Sequence, residues 1–273
     1  MRAIARVTDV SFNTVVKALV DAGKVCAQMH DELVQGVKAS RIQCDEIWAF
    51  NYCKQRTVST AKAAPADAGD IWTWTGIDAD SKLIVSYLVG DRSGEAAVDL
   101  MDDLRSRLTN RVQLSTDGHK AYLDAVEGAF GADIDYAQVI KMFGSTPSPP
   151  GRYSPAECTG IKKVRIEGRP DKKHVSTSFV EAHNKTMRMH MRRFTRLTNG
   201  HSKKVANHVH MVALYALFYN FIRTHGKLRM TPAMAAGIAT TFLGFEDVLA
   251  RIDAARPPKV RGPYKKRANG ISN

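Results

Sequence analysis

Three β-branched and aromatic runs follow one another between residues 41 and 91: RIQCDEIWAFNYC, DIWTWTGIDAD and KLIVSYLVGD, each set off by turn-forming residues. Thr60–Gly69, a small loop containing Ala and Pro, separates the first two. Helical periodicity then takes over in SGEAAVDLMDDLRSRL (93–108). VQLSTDGHKAY (112–122) reads as a buried strand leading into a turn and a helix, and IDYAQVIKMF (134–143) as a further strand. The order βββ-α-β-α-β describes an α/β fold, a mixed sheet covered by helices. GSTPSPPGRYSPAEC comes next and is too rich in breakers for regular structure.

At 273 residues the chain is about twice one typical domain, enough for a catalytic domain with appendages. With 44% hydrophobic and 25% charged residues it is not a disordered chain. No apolar run reads as the roughly 18–20 residues a bilayer span needs, and the charged start MRAIARVTDV does not suit a signal peptide. A cytoplasmic, nucleoid-associated protein with no membrane partner is expected. Cys26, Cys44, Cys53 and Cys158 lie far apart without a CxxC pair, so they read as reduced thiols. The net charge is +13, and residues 151–230 hold 17 Lys+Arg against 4 Asp+Glu. RPPKVRGPYKKR (256–267) adds six more cations and no acid, leaving the remainder slightly acidic. A concentrated basic zone on an acidic body points to a polyanion, although such a run can also be only a solvated face.

Residues 3–23, AIARVTDVSFNTVVKALVDAG, look like two short helices around a turn at Thr8-Asp9. Ser11 or Asn13 would cap the second, and Gly23 would stop it. That fits a helix-turn-helix whose usual supporting helix is missing or lost to truncation, with Ser11, Asn13, Thr14 and Lys17 facing the major groove, although any small helical hairpin looks similar. TSFVEAHNKTMRMHMRRFTR (177–196) reads as one helix. Phe179, His183, Met187, Met191 and Phe194 make an apolar face; Glu181, Lys185, Arg188, Arg192 and Arg196 make a stripe headed by an acid. KKVANHVHMVALYALFYNFIRTH (203–225) is a buried helix, and TPAMAAG a short capped one. The expected division is a DNA-binding segment at 1–35, a catalytic domain at 40–200 with a basic insertion at 144–176, a helical extension at 201–255 and a disordered basic tail at 256–273.

Three acids stand out by position. Asp45 lies in an otherwise apolar strand, among Ile42, Ile47 and Trp48, where a charge is costly unless compensated. Asp117 closes VQLST just before Gly118, at the strand end where such sheets place ligands. Glu181 heads the cationic stripe. Taken singly, each could be a cap, a turn or a salt bridge. Together, without cysteine or histidine at zinc-like spacing, they suit a hard, oxygen-preferring ion such as Mg²⁺ or Mn²⁺. Glu46 reads as a decoy because it points to the other side of the strand from Asp45, and Asp78 as a turn residue. His119 and His183 adjoin two of the acids and read as structural or solvated before catalytic.

IQCDEIWAFNYCKQ, STDGHKAY, YSPAECTG-KKVRI, STSFVEAHNKTMRMHMRRFTRLTN and YNFIRTHGKLRMTPAMAAG, in this order, resemble the transposases of short bacterial insertion sequences, in particular the insertion-sequence-one type. The resemblance runs from about residue 3 to residue 253. It implies a ribonuclease-H-like fold and an Asp-Asp-Glu active site, with the Asp residues on Asp45 of DEIW and Asp117 of TDGH and the Glu on Glu181 of VEAHN. Related transposases often carry a basic residue seven positions after that Glu, where Arg188 stands. The resemblance also implies an N-terminal helix-turn-helix for terminal repeats, often preceded by a zinc-binding segment that has no counterpart in this sequence. The expected chemistry is strand cleavage and strand transfer with two divalent ions, Asp45 bridging them, Asp117 on one and Glu181 on the other. Lys185, Arg188, Arg192 and Arg193 would hold DNA phosphates. The expected partners are double-stranded DNA, as terminal inverted repeats and target, and further copies of the chain assembled on it. A stand-alone nuclease and an inactive DNA-binding regulator are the rival readings.

Overall fold

The computed structural model describes residues 1–144, 156–195 and 199–255. Six strands form one sheet in the order β3-β2-β1-β4-β5-β6. They are β1 (Arg41–Asn51), β2 (Gly69–Asp78), β3 (Ile84–Gly90), β4 (Gln113–Asp117), β5 (Asp135–Phe143) and β6 (Cys158–Glu167). The connections explain the pairing. β1, β2 and β3 follow one another without an intervening α-helix and pair antiparallel. The helices α3 (Gly94–Arg107) and α4 (Ala121–Phe130) carry the chain back across the sheet, so β4 joins β1 and β5 joins β4 in parallel. The result is an α/β mixed sheet flanked by helices, consistent with the ribonuclease-H-like fold that the resemblance implies, with β1 near its centre.

β6 was not expected. It falls within the stretch read as a basic insertion and pairs antiparallel with β5 at the sheet edge. CTGIKKVRIE is exposed along nearly all of its length, so no buried face imposes a readable alternation.

Two main cores sandwich the sheet, and Ala137, Val139 and Val175 form a small third cluster. Ile42, Cys44, Trp74 and Val85 pack with Leu100 and Leu104 of α3 and Tyr122 of α4. On the opposite face Ile47, Ala49 and Ile84 pack with Met187, Met191, Phe194 and Val212. These belong to α5 (Ser178–His190), the turn after it, and α6 (Val205–Leu217). Most of the expected Met face is therefore core, but Phe179 is partly exposed under the Lys82 ammonium. α5 also ends earlier than the sequence suggests. Met191 is extended, and Arg192–Phe194 form a separate 3-10 turn, so the cation stripe does not continue along one helix. Arg196 and the 256–273 tail lie outside the described residues.

Near the N-terminus, α1 (Arg2–Thr8) ends at a left-handed Asp9, and α2 (Phe12–Leu33) is capped by Ser11, which accepts from the Thr14 amide at 3.2 Å. Gly23 does not stop α2. The helix continues ten residues beyond it, and α6 crosses there: a Cβ at position 23 would sit 2.3 Å from the His210 Cβ and 2.6 Å from its carbonyl oxygen. Gly23 is a helix-crossing contact, and Val25, Cys26 and Met29 of α2 join the first core. Arg107 ties α2 to α3 through Asp31 and Asp103, each at 2.7 Å. The outer edge of β3 is covered by Asn220, whose side chain bonds both the amide (2.9 Å) and the carbonyl (2.8 Å) of Ile84. Asn220 sits in a π-helical turn, Phe218–Ile222, that follows α6. α7 (Pro232–Ala235) and α8 (Phe245–Ala255) complete the fold, and Val248 and Ile252 of α8 enter the first core.

One apolar stretch is longer than the sequence reading allowed. Val205–Ile222 has a mean hydropathy of 1.2 over 18 residues, enough by length and composition to cross a membrane. Half of it is buried within the protein, where α6 lies against α2, as a core helix would.

Candidate active site

The parallel ladder between β1 and β4 pairs Cys44 with Thr116, so the next residues, Asp45 and Asp117, stand side by side as β4 ends. Asp117 Oδ1 accepts the His119 amide at 3.0 Å in the turn that follows. Glu46 does face away from Asp45 by strand alternation. Yet the β1–β4 ladder has already stopped at residue 46, and the longer Glu46 side chain reaches round the end of β4. One carboxylate oxygen each from Asp45, Glu46 and Asp117 lies within 4.8 Å of the others. Reading Glu46 as a decoy is therefore corrected: its direction was right, but its reach was not.

Burial and crowding set the electrostatics. Burial, then repulsion from Asp117 and Glu181, pushes the Asp45 carboxyl up to about 6, against a 2.8 Å hydrogen bond donated by the Asn184 amide. Glu46, with 1% of its side chain exposed, is pushed up to about 8 by burial and Asp117. Arg92 opposes that shift, its Nη2 standing 3.6 Å from Glu46 and 3.8 Å from Asp117.

Helix α5 is docked on the same face as Asp45. Gln43, two residues earlier on β1 and almost fully buried, accepts the Phe179 amide at 2.8 Å and the Val180 amide at 3.2 Å. It thereby satisfies amides that a helix start otherwise leaves open. This fixes Glu181 in the first turn of α5. Its carboxylate accepts from Lys141 Nζ at 2.7 Å and from the Thr177 hydroxyl. Glu181 stands outside the close group of three acids, but its charge contributes to the Asp45 shift. A cleft of about 510 Å³ opens here, lined by Asp45, Arg92, Asp117, His119, Lys141 and Phe143.

The residues fit a hard divalent cation. The donors are all carboxylate oxygens, they lie within one coordination sphere's span, and the buried Glu46 Oε1 has no hydrogen-bond partner among the described residues. An ion here would relieve the repulsion that adds to burial in raising Asp45 and Glu46.

The remaining expected residues are dispersed. Lys185 and Arg192 are exposed, and Arg188 is half-buried. Arg193 turns inward: its Nη1 bonds Ser202 Oγ at 3.1 Å, that hydroxyl bonds the His208 ring at 2.7 Å, and burial lowers the guanidinium pKa. Ser11, Asn13, Thr14 and Lys17 are exposed at the start of α2, Ser11 and Thr14 bonding each other in the cap and Lys17 pairing with Asp21 at 2.7 Å. His183 packs between Tyr215 and Tyr219 in the second core, where burial pushes it down to about 3. His119 borders the cleft, but its Nδ1 accepts the Ala121 amide at 3.2 Å. Asp78 accepts the Asp80 and Ser81 amides in the β2–β3 turn, as expected. The sequence reading missed Gln43, Arg92, Lys141 and Asn184. Asn184, one helical turn after Glu181, carried the readable signal of that spacing.

Compared with known protein families, the chain matches none, and no curated protein matches it. Among solved structures it is similar to the piggyBac transposase in its synaptic complex with hairpin DNA, at 12% identity and a TM-score of 0.31. The match covers 83% of this chain and 59% of the other, so the chain spans about three-fifths of that protein's length.

Proposed function

We propose that this chain is a DNA transposase of the insertion-sequence type, an enzyme that cuts and rejoins phosphodiester bonds with divalent metal. One observation carries the reading: Asp45 and Asp117 stand side by side on adjacent parallel strands, facing the helix that bears Glu181. Asp45, Asp117 and Glu181, with Glu46 beside them, would hold Mg²⁺ or Mn²⁺. Bound there, the metal supplies charge stabilisation and a more acidic water. The protein's own groups do the positioning. Asn184 orients Asp45; Lys141, at the cleft wall, holds Glu181; and Gln43 fixes the helix between them.

Exposed Lys185 and Arg192, with Arg188, would hold DNA phosphates beside the cleft, and Ser11–Lys17 would meet the element ends. Such an enzyme would act on double-stranded DNA in the cytoplasm, assembled as several copies on the element ends.

The test uses the purified full chain and DNA from the flanks of its gene, where an element would place its ends. Mg²⁺-dependent cleavage and a strand-transfer product are expected, both abolished by EDTA. Asp117→Asn should lower cleavage by orders of magnitude and leave DNA binding near wild type, because binding comes from the basic residues. Wild-type-like cleavage by Asp117→Asn would sink the assignment. Cleavage without a joined product would indicate a nuclease, and DNA binding with neither product a regulator.

A further inference from the structure

Among the described residues Arg92, Arg107 and Arg111 each meet a pair of carboxylates, and Arg107 and Arg92 do so in different ways. Arg107 is a structural clamp: 6% exposed, it makes hydrogen bonds of 2.7–2.8 Å to Asp31 and Asp103 and a further bond of 3.0 Å to the Val34 carbonyl. Arg92 stands 3.6 Å from Glu46 and 3.8 Å from Asp117, too far for the short charge-assisted bonds that fix a guanidinium. Its side chain is 41% exposed and lines the cleft. What orients it is the Trp72 ring, with the guanidinium carbon 4.7 Å from the ring centroid. Stacking leaves the N–H edge of the guanidinium available for other acceptors.

The backbone on either side of Arg92 is pinned. Trp74 Nε1 donates to the Asp91 carbonyl at 2.8 Å, and Ser93 caps α3 by accepting the Ala96 amide at 3.2 Å. The position of Arg92 along the chain is thereby set by its neighbours. Asp117, and Glu46 once ionised, attract Arg92 only while their charge is uncompensated. Once it is compensated, a stacked guanidinium at a cleft wall is a ready ligand for a phosphate.

We propose that Arg92 is an exchangeable phosphate ligand: it rests against Glu46 and Asp117 in the metal-free protein and turns to a DNA phosphate when their charge is taken up by a divalent cation. This rests on the function proposed above.

Two measurements on the full chain test it. Mn²⁺ alone, titrated and read by electron paramagnetic resonance, should bind Arg92→Ala about tenfold more tightly than wild type, the order expected when one unit charge is removed from beside a divalent ion. Arg92→Lys, which keeps the charge, should match wild type. A DNA duplex should bind Arg92→Ala more weakly in Ca²⁺, with the salt slope of log K reduced by about one, and bind it as wild type in EDTA. Arg92→Gln serves both assays if the alanine variant does not fold. Unchanged Mn²⁺ affinity, or an equal loss of DNA affinity in Ca²⁺ and EDTA, would overturn the exchange while leaving the proposed function standing. A wild-type chain that binds neither Mn²⁺ nor DNA would overturn both.

Discussion

In the absence of divalent metal Asp45→Asn should make the protein more stable, while abolishing the cleavage proposed above. The carboxyl has a pKa of about 6 in the folded chain against 3.8 as its ordinary value. A raised carboxylate pKa means that the folded state binds its proton more tightly, so the associated stability is present at low pH and lost as pH rises through 6. At pH 7 the ionised Asp45 therefore costs about 3 kcal/mol, roughly half of that at pH 5, and little at pH 4. Asparagine removes this cost and gives back roughly 1–2 kcal/mol through the weakened bond from Asn184. A net gain of about 1–2 kcal/mol corresponds to several degrees in Tm for a chain of this size. Thermal unfolding in EDTA at pH 7 and pH 4 should show the gain at the higher pH alone. In saturating Mg²⁺ the order should invert, because wild type gains the binding free energy and the variant gains less. A loss of stability at pH 7 in EDTA, with no response of wild type to Mg²⁺, would refute an acid cluster awaiting a cation.

Three further outcomes follow from the same structure. Gly23→Ala should lower stability by about 1–3 kcal/mol despite alanine's better helix propensity, because its Cβ meets the His210 backbone; a neutral or stabilised variant in urea unfolding would return Gly23 to the role of a helix stop. His30, His183 and His208 are pushed down to about 4, 3 and 4 by burial, so the unfolded chain takes up their protons first. Their stability is present above pH 6.5 and lost as pH falls towards 4, at up to about 1.4 kcal/mol per pH unit each; a His183→Gln variant should show a shallower acid limb in denaturant titrations. Lys185→Ala and Arg192→Ala should each weaken DNA binding similarly across sequences and reduce the salt slope of log K by about one; a loss confined to one DNA sequence would mean base readout.

Where burial imposes a pattern, the sequence was informative. β1, β2, β3, β4 and β5 lie where alternating or apolar runs placed them, and α3 matches its periodic stretch to within a residue at each end. Asp45 was legible because a charge inside such a run needs a reason, and Asp117 because its strand ends there. The failures share a cause: they depend on partners distant in sequence. Gly23 looks like a stop until α6 lies across it. β6 has no buried face to write a pattern into its sequence. Glu46 was set aside by strand alternation, a rule that assumes a neighbouring strand, and β4 has just ended beside it. Arg92 and Lys141 carry no local signal, since each is defined by an acid on another strand or helix.

The arrangement depends on the register of β1. Gln43 and Asp45 face α5, one holding the helix start and the other receiving Asn184 from its next turn, while Glu46 projects to the opposite face towards Arg92. A slip of one residue would turn Gln43 and Asp45 into the core that holds Cys44, leave the amides of Phe179 and Val180 without their acceptor, and bring Glu46 under α5. The slip would put charge and amide into the first core and remove Ile42 and Cys44 from it, an arrangement that burial forbids. The hydrophobic residues of β1 thus fix the acids as firmly as they fix the sheet. The same register is what lets mutually repelling carboxylates be held together.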